Sequence, residues 1–443
     1  MGRLFGTDGI RGVANVDLTP SLAFDLGRAV GHFVDGAGRS VVVGRDTRRS
    51  GEMLSAAVAA GLSSVGSDVL DLGVVTTPCL AYVAETGEHV AGIMVSASHN
   101  PPDDNGLKVV SGGRKMDDEA EERLEHLIFR AESLPGPTNA RLGRIRHDPG
   151  PVAAYRDHIR KAAGKLFAGL RIGVDAANGS ASELAPSLFG ELGAEVTAIH
   201  CAPDGANINV GGGATDPSVL ASTVRRAGLD LGLAFDGDAD RLIAVAETGE
   251  VVDGDGVMGI CALDRLAGGT LAANTLVVSV MSNGGLVRAV EAAGGRVIRA
   301  PVGDRHVLEA MERSGAMLGG EQSGHVIFRD LASTGDGLLT AVQVVAALRA
   351  SGGATLGQLA ARIPRLPQVV LNSAVRHKDQ WQVDPVFADA MAQASARLGS
   401  RGRILVRASG TEPQLRIMVE GEEPDEIATI AQELADLATA RLN

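Results

Sequence analysis

"LRIGVDAANGSASELAPSLFGELGAEVTAIHCAPDG", residues 170–205, opens as an apolar run and breaks into a small-residue loop. It continues as a helix-like stretch and, after a glycine turn, ends in a second short apolar run. That order is a βαβ unit, in which a helix carries the chain back so that the second strand lies parallel to the first.

The same order occurs twice more. "SVVVGRDTRRSG" (40–51) leads to "LSSVGSDVLDLGVVTTP" (62–78), and "TLVVSVMSNGG" (275–285) leads to "VEAAGGRVIRAPVGD" (290–304). Each copy is followed by another apolar run ending in a loop rich in reactive side chains: "AGIMVSASHNP" (91–101), "LGLAFDGDADR" (231–241) and "GAMLGGEQSGH" (315–325). Three sister α/β domains are expected, with these loops at the carboxyl ends of strands, where ligands collect in open α/β sheets. Pro364 and Pro367 mark the start of a smaller α+β domain, expected to hold a helix, a strand "GRILVRASGTEPQLRIMVEG" (402–421) and a last amphipathic helix. The Pro/Gly-rich stretch 134–151 gives another boundary. The expected domains are 1–148, 149–253, 254–366 and 367–443.

Composition narrows the function classes. A hydrophobic fraction of 45% over 443 residues supplies several cores, and 58 glycines with 3% aromatics suit tightly turned α/β units. The net charge of -13 argues against nucleic acid or an anionic membrane as the main partner. Cys79, Cys201 and Cys261 are too few and too scattered for a disulfide framework or a zinc site. "MGRLFGTDGI" carries no signal-peptide core, and "LLTAVQVVAALRA" (338–350) reads as a buried helix rather than a span, so a cytoplasmic enzyme is expected.

Chemistry is concentrated in the loops. Asp236, Asp238 and Asp240 alternate after an apolar strand, a hard-oxygen set suited to Mg2+ or Ca2+. An EF-hand is disfavoured because Arg241 stands where the loop needs glycine; a solvated acidic turn is the plain alternative. Ser98 and His99 are neighbours in sequence and lack the G-x-S-x-G setting of a hydrolase, so an acyl-transfer triad is disfavoured. Beside a metal, a serine can instead carry a phosphoryl group; the alternative is a turn or N-cap serine. "GRDTRRSG" and "RASGTEPQLR" cluster arginines around turns as phosphate sites do, though surface arginines are commonly just solvated.

Taken in order, "FGTDGIRG", "SASHNPPDDNGLK", "FDGDADR", "PVGDRHV", "GEQSGH" and "RASGTEP" resemble the α-D-phosphohexomutase family over almost the whole chain. The "SASHNP" and "GEQSGH" forms are most similar to members acting on glucosamine phosphates. The resemblance implies a heart-shaped molecule of three sister α/β domains with mixed sheets and a mobile α+β fourth domain around a central cleft. It also implies interconversion of glucosamine 6-phosphate and glucosamine 1-phosphate toward UDP-N-acetylglucosamine, with phosphoglucose or phosphomannose members as the alternative.

By the same resemblance Ser98 carries the phosphoryl group, and Mg2+ is held by Ser98, Asp236, Asp238 and Asp240. Lys108 is the first candidate for general acid/base and His325 the second, with His99 and Arg11 as further catalytic groups. Arg241, Gly303, Asp304, Glu321 and Ser323 would contact substrate, and Arg407, Ser409, Gly410, Thr411 and Arg416 would grip the non-reacting phosphate. Glucosamine 1,6-bisphosphate, or glucose 1,6-bisphosphate, would prime the enzyme. The partner is a small sugar phosphate, with no nucleic acid and no membrane, and a homodimer is a family-level expectation.

Overall fold

A computed structural model describes residues 4–6, 8–409 and 413–443. The chain divides into two compact units, Met1–Ser282 with Val290–Arg362, and Asn283–Ala289 with Ile363–Asn443.

Residues 170–205 fold as the βαβ unit read from their sequence. Strands Arg171–Asp175 and Glu195–Ile199 are parallel, from Arg171↔Glu195 to Asp175↔Ile199, and helix Leu184–Glu191 joins them. The first repeat gives strand Ser40–Arg45, helix Ser50–Ser64 and parallel strand Asp68–Val74. The third gives Thr275–Ser279, Gly284–Ala292 and Arg296–Ala300, again with the strands parallel.

In each copy the downstream apolar run pairs parallel to the other side of the repeat's first strand: His89–Val95, Leu231–Phe235 and Leu318–Gly320. The chain then turns back as an antiparallel neighbour, Asp104–Ser111, Leu242–Ala246 or Val326–Phe328. The shared order of one antiparallel and three parallel strands makes the three mixed sheets sisters. It also puts loops 96–103, 236–241 and 321–325 at equivalent carboxyl ends.

The central strands are buried on both faces, which is why they read as unbroken apolar runs rather than alternating ones. Val41, Val42 and Val43 are buried, as are all five residues of Leu231–Phe235. Each valine, leucine or phenylalanine among them contributes about 1.5–3 kcal/mol relative to exposure. The 134–151 stretch, expected as a boundary, also supplies strand Ile145–His147, which pairs parallel to Asp68–Val74.

Helix Gly337–Ala350 is buried along most of its length, as expected, and no described helix is long and apolar enough to cross a membrane. Asp336 caps it, accepting from the Leu339 N–H at 3.0 Å, and also accepts from the Tyr155 hydroxyl at 2.8 Å. The cap thus ties the start of this helix to helix Gly150–Ala163.

In the second unit, strands run antiparallel in the order Gln368–Ala374, Gln414–Gly421, Gly402–Ala408, with helices Pro385–Leu398 and Pro424–Arg441. Phe387, Ile417, Val419, Ile430 and Leu434 form its core. The stretch expected as one strand at 402–421 is two strands of a hairpin, paired from Gly402↔Gly421 to Ala408↔Leu415. Its central polar "SGTEP" separates two apolar runs, the signal of a hairpin connection that a single-strand reading passes over.

Burial pushes the Asp336 carboxyl up to about 6, against the hydrogen bonds from Leu339 and Tyr155 that favour its charged form. The folded pKa lies above the unfolded one, so stability from this group is fullest below about pH 4 and lost as pH rises through about 6. Asp336→Asn keeps a capping oxygen and cannot titrate. Its unfolding free energy should therefore gain on that of the parent chain by roughly 2–3 kcal/mol between pH 4 and pH 7 in urea titrations; a constant difference would show that Asp336 does not titrate in this way.

Candidate active site

Ser98 lies three residues past the end of strand His89–Val95, buried, with φ at 51°. A non-glycine residue in the left-handed region is held there by its surroundings. The Ser98 N–H donates to Ser96 Oγ at 3.0 Å, and Ser96 Oγ donates to Asp46 at 2.6 Å. Ser96 is therefore a turn lock. Of "GRDTRRSG", Arg48 turns inward rather than toward a phosphate: it is buried, pairs with Asp46 at 2.9 Å and donates to the carbonyls of Ser98, Asn100, Pro101 and Asp104. Its donors are committed to shaping the serine loop.

With its loop so held, Ser98 Oγ donates to Asp236 Oδ2 at 2.6 Å, joining residues 138 positions apart. Carboxylate oxygens of Asp236, Asp238 and Asp240 lie within 4.8 Å of one another, all three residues buried. Ala239 takes φ of 57° so that the turn can bring them together. Burial and the two neighbouring carboxylates raise the Asp236 pKa well above the ordinary range. Asp238 Oδ1 and Asp240 Oδ1 are buried without a hydrogen-bond partner. Like charges this close, with acceptor oxygens left unpartnered, fit a divalent cation with oxygen ligands.

Cations surround the acidic turn. Lys108 Nζ is 2.9 Å from Asp238 and 3.0 Å from Asp8, and although burial alone would lower its pKa, Asp238, Asp8 and Asp240 outweigh it and hold the amine charged. Lys115 bridges Asp8 and Asp304, which likewise outweigh its burial. Arg11 pairs with Asp8 and donates to Asn100 at 3.0 Å. His325 lies 3.5 Å from Asp240 and 3.7 Å from Asp304; burial opposes its charge, and the two carboxylates raise its pKa nonetheless. His99 Nδ1 is 3.3 Å from Ser98 Oγ, and burial with Arg241 and Arg11 pulls the imidazole down to about 4.

A cavity of about 430 Å³ opens beside this network. Arg11, His99, Asp240, Arg241, Gly303, Asp304, Glu321 and His325 line it, so loops from all three sister sheets meet there. Gly303, with φ at 122°, donates its N–H to Glu321 at 3.0 Å and gives the third sheet's loop its bend. Ser323 is exposed and not among the lining residues, and Lys108 lies beneath the surface rather than on it. In the second unit Arg407 and Arg416 are direct cross-strand neighbours, and the Ser409 N–H donates to Gln414 at 2.9 Å. Gly410 and Thr411 lie outside the described residues.

Two participants escaped the sequence reading. Asp8 accepts from Arg11, Lys108 and Lys115, and its signal was present inside "FGTDGIRG". Lys115 lines the cavity but sits in a short hairpin, "SGGRK", that belongs to none of the quoted loops.

Family models of the phosphoglucomutase/phosphomannomutase family match in order: α/β/α domain I at residues 2–135, domain II at 153–249, domain III at 253–366 and the C-terminal domain at 370–437. A phosphoglucosamine mutase of Symbiobacterium thermophilum is 51% identical, with all of both chains covered, and one of Frankia alni is 48% identical over 100% of this chain and 99% of its own. Among solved structures, a phosphoglucomutase/phosphomannomutase family protein from Burkholderia thailandensis superposes with TM-score 0.85 at 29% identity, covering 99% and 98% of the two chains. An N-acetylphosphoglucosamine mutase of Aspergillus fumigatus, solved with GlcNAc-6P and magnesium, shares the fold at TM-score 0.66 and 18% identity, over 100% and 97%.

Lys115→Met would leave Asp8 and Asp304 facing each other without their shared cation. A loss of about 3 kcal/mol in unfolding free energy is expected, and adding Asp304→Asn should recover part of it. If the single variant is as stable as the parent chain, the bridge contributes nothing to the fold.

Proposed function

The chain belongs to the α-D-phosphohexomutase family, among its bacterial phosphoglucosamine mutases, and on that premise we propose how its cleft interconverts glucosamine 6-phosphate and glucosamine 1-phosphate. Ser98 carries a phosphoryl group between turnovers. The observation that carries this reading is the 2.6 Å hydrogen bond between Ser98 Oγ and Asp236 at the edge of a three-aspartate cluster.

Asp236, Asp238, Asp240 and an oxygen of phosphorylated Ser98 would hold Mg2+, which supplies charge neutralisation for the transferring group. The sugar's free hydroxyl attacks the phosphorus, the bond from phosphorus to Ser98 Oγ breaks, and glucosamine 1,6-bisphosphate forms. After the bisphosphate turns over, Ser98 takes back the other phosphoryl group, so the enzyme ends as it began and needs only a trace of bisphosphate, of glucosamine or glucose, as primer.

Arg241 and Arg11 line the cavity and suit the negative charge on the transferring oxygens. The hydroxyl's proton needs an acceptor on the cavity wall. What supports His325 over Lys108 is that His325 lines the cavity with Nε2 not hydrogen-bonded and 3.7 Å from Asp304, so that its neutral form can take the proton, while Asp8 and Asp238 close off Lys108. Lys108 then serves as a fixed cation. Glu321 is a cavity-lining carboxylate placed to accept from sugar hydroxyls or a protonated 2-amino group. Arg407 and Arg416 are direct cross-strand neighbours, and two guanidinium groups at paired positions suit the binding of a phosphate. With Ser409, Gly410 and Thr411 they would make up the proposed grip on the non-reacting phosphate.

A coupled assay for glucosamine 1-phosphate, primed with bisphosphate, tests the reading. Glucosamine 6-phosphate should be used with a higher kcat/KM than glucose or mannose 6-phosphate. Ser98→Ala should lose at least roughly 10³-fold in kcat together with the phosphate adduct seen by intact-protein mass spectrometry. Turnover by Ser98→Ala, or release of inorganic phosphate in place of transfer, would point to an aspartyl-phosphate phosphatase instead.

A further inference from the structure

The serine loop is gripped from two sides. Arg48 Nη2 donates to the carbonyls of Ser98 at 3.0 Å and Asn100 at 2.8 Å, and Asn209 Nδ2 donates to the same pair at 2.8 and 3.0 Å. The two donors differ in what they are built into. Arg48 stands just past strand Ser40–Arg45, in the sheet that also carries Ser98. Asn209 belongs to the segment that carries the aspartates, its own N–H bonded to the Ala177 carbonyl at 2.8 Å with φ at 60°.

Gly237, between Asp236 and Asp238, packs directly against this grip. A Cβ there would lie 2.6 Å from the Ser98 carbonyl oxygen and 3.0 Å from Asn209 Nδ2. The amide has one usable orientation: its Oδ1 is buried without a partner, and a flip would set that oxygen against two carbonyl oxygens. Asn209 is not among the residues lining the cavity.

We infer that Asn209 is a positioning residue for phosphoryl transfer, locking the strained Ser98 backbone to the aspartate turn so that Ser98 Oγ stays aligned with Asp236. The inference rests on Ser98 as the phosphoryl carrier. Asn209 acts on the transfer step and not on substrate binding, because it touches the serine's carbonyl and no wall of the cavity. A displacement on the order of 1 Å at such a site is enough to lower a rate about 100-fold.

The test uses full-length Asn209→Asp, which keeps the shape and turns a donor into an acceptor facing two carbonyls, and Asn209→Ala, which removes the bonds without repulsion. Folding is checked by circular dichroism and thermal melting, and kcat is divided by the fraction of chains carrying phosphate, counted by mass spectrometry. The expected result is kcat per phosphorylated chain down by roughly 10- to 100-fold, more for Asp than for Ala, with KM for glucosamine 6-phosphate within about two-fold of the parent value. An unchanged kcat per phosphorylated chain overturns the inference, as does a rise in KM alone. Failure of both variants to fold overturns it too, since Asn209 would then serve the architecture only. Ser98→Ala assayed alongside keeps the two readings apart: turnover without Ser98 removes the carrier itself, whereas a slow Asn209 variant requires it.

Discussion

Three carboxylates sealed into one turn cannot remain together unaided, and most of what surrounds the cleft answers that repulsion. Lys108 is pressed between Asp238 and Asp8, His325 leans on Asp240, the Arg241 guanidinium lies 3.9 Å from Asp240, and the Arg241 backbone N–H donates to Asp236 at 3.2 Å. Lys108 and His325 are themselves buried and would be unfavourable as cations without their carboxylates. The aspartates and the cations therefore hold one another in place, and the remaining unpartnered oxygens of Asp238 and Asp240 mark where positive charge is still lacking.

That electrostatic knot also explains why three sister sheets pack into one unit. Ser98 and Lys108 come from the first sheet's loop and strand, the aspartates from the second's loop, and Asp304 and His325 from the third's segment, with Asp8 and Lys115 as the couplings. A single charged group moved out of register would leave a buried partner uncompensated, at roughly 3–5 kcal/mol. The Tyr155 to Asp336 hydrogen bond and the buried helix behind it reinforce the same packing at a distance from the chemistry.

The fold was legible because its repeat is a matter of local order. Apolar runs, glycine turns and helix-like stretches recur in the same sequence three times, and parallel strands buried on both faces leave an apolar signature that needs no partner to be seen. The hairpin at 402–421 was missed because two apolar runs joined by a short polar turn look like one interrupted strand until pairing is known. In the site, Ser98 and the three aspartates were legible because each stands at the end of such a run. Asp8, Lys115 and Asn209 were not: each meets atoms far away in sequence, and nothing in "GTDG", "GGRK" or "NINV" says which cation, carboxylate or carbonyl those will be. Arg48 misled for the complementary reason, since an arginine at the start of a helix reads as an anion site until the carbonyls that consume its donors are seen.

The same distinction bears on how an acidic protein accepts a phosphorylated sugar. Net charge describes the outside of the molecule, but the field in a cleft is set by the groups that line it, at distances where solvent screens little. Here Arg11, Lys115, Arg241 and His325 stand against Asp8, Asp240, Asp304 and Glu321, nearly in balance before any ion binds. Folding has already ordered these dipoles and removed most of their water, so charge developing on a transferring phosphoryl group would meet donors that need no further rearrangement. A cleft balanced in this way needs only a divalent cation to become attractive to an anion, and the three aspartates are the place where the balance can be tipped.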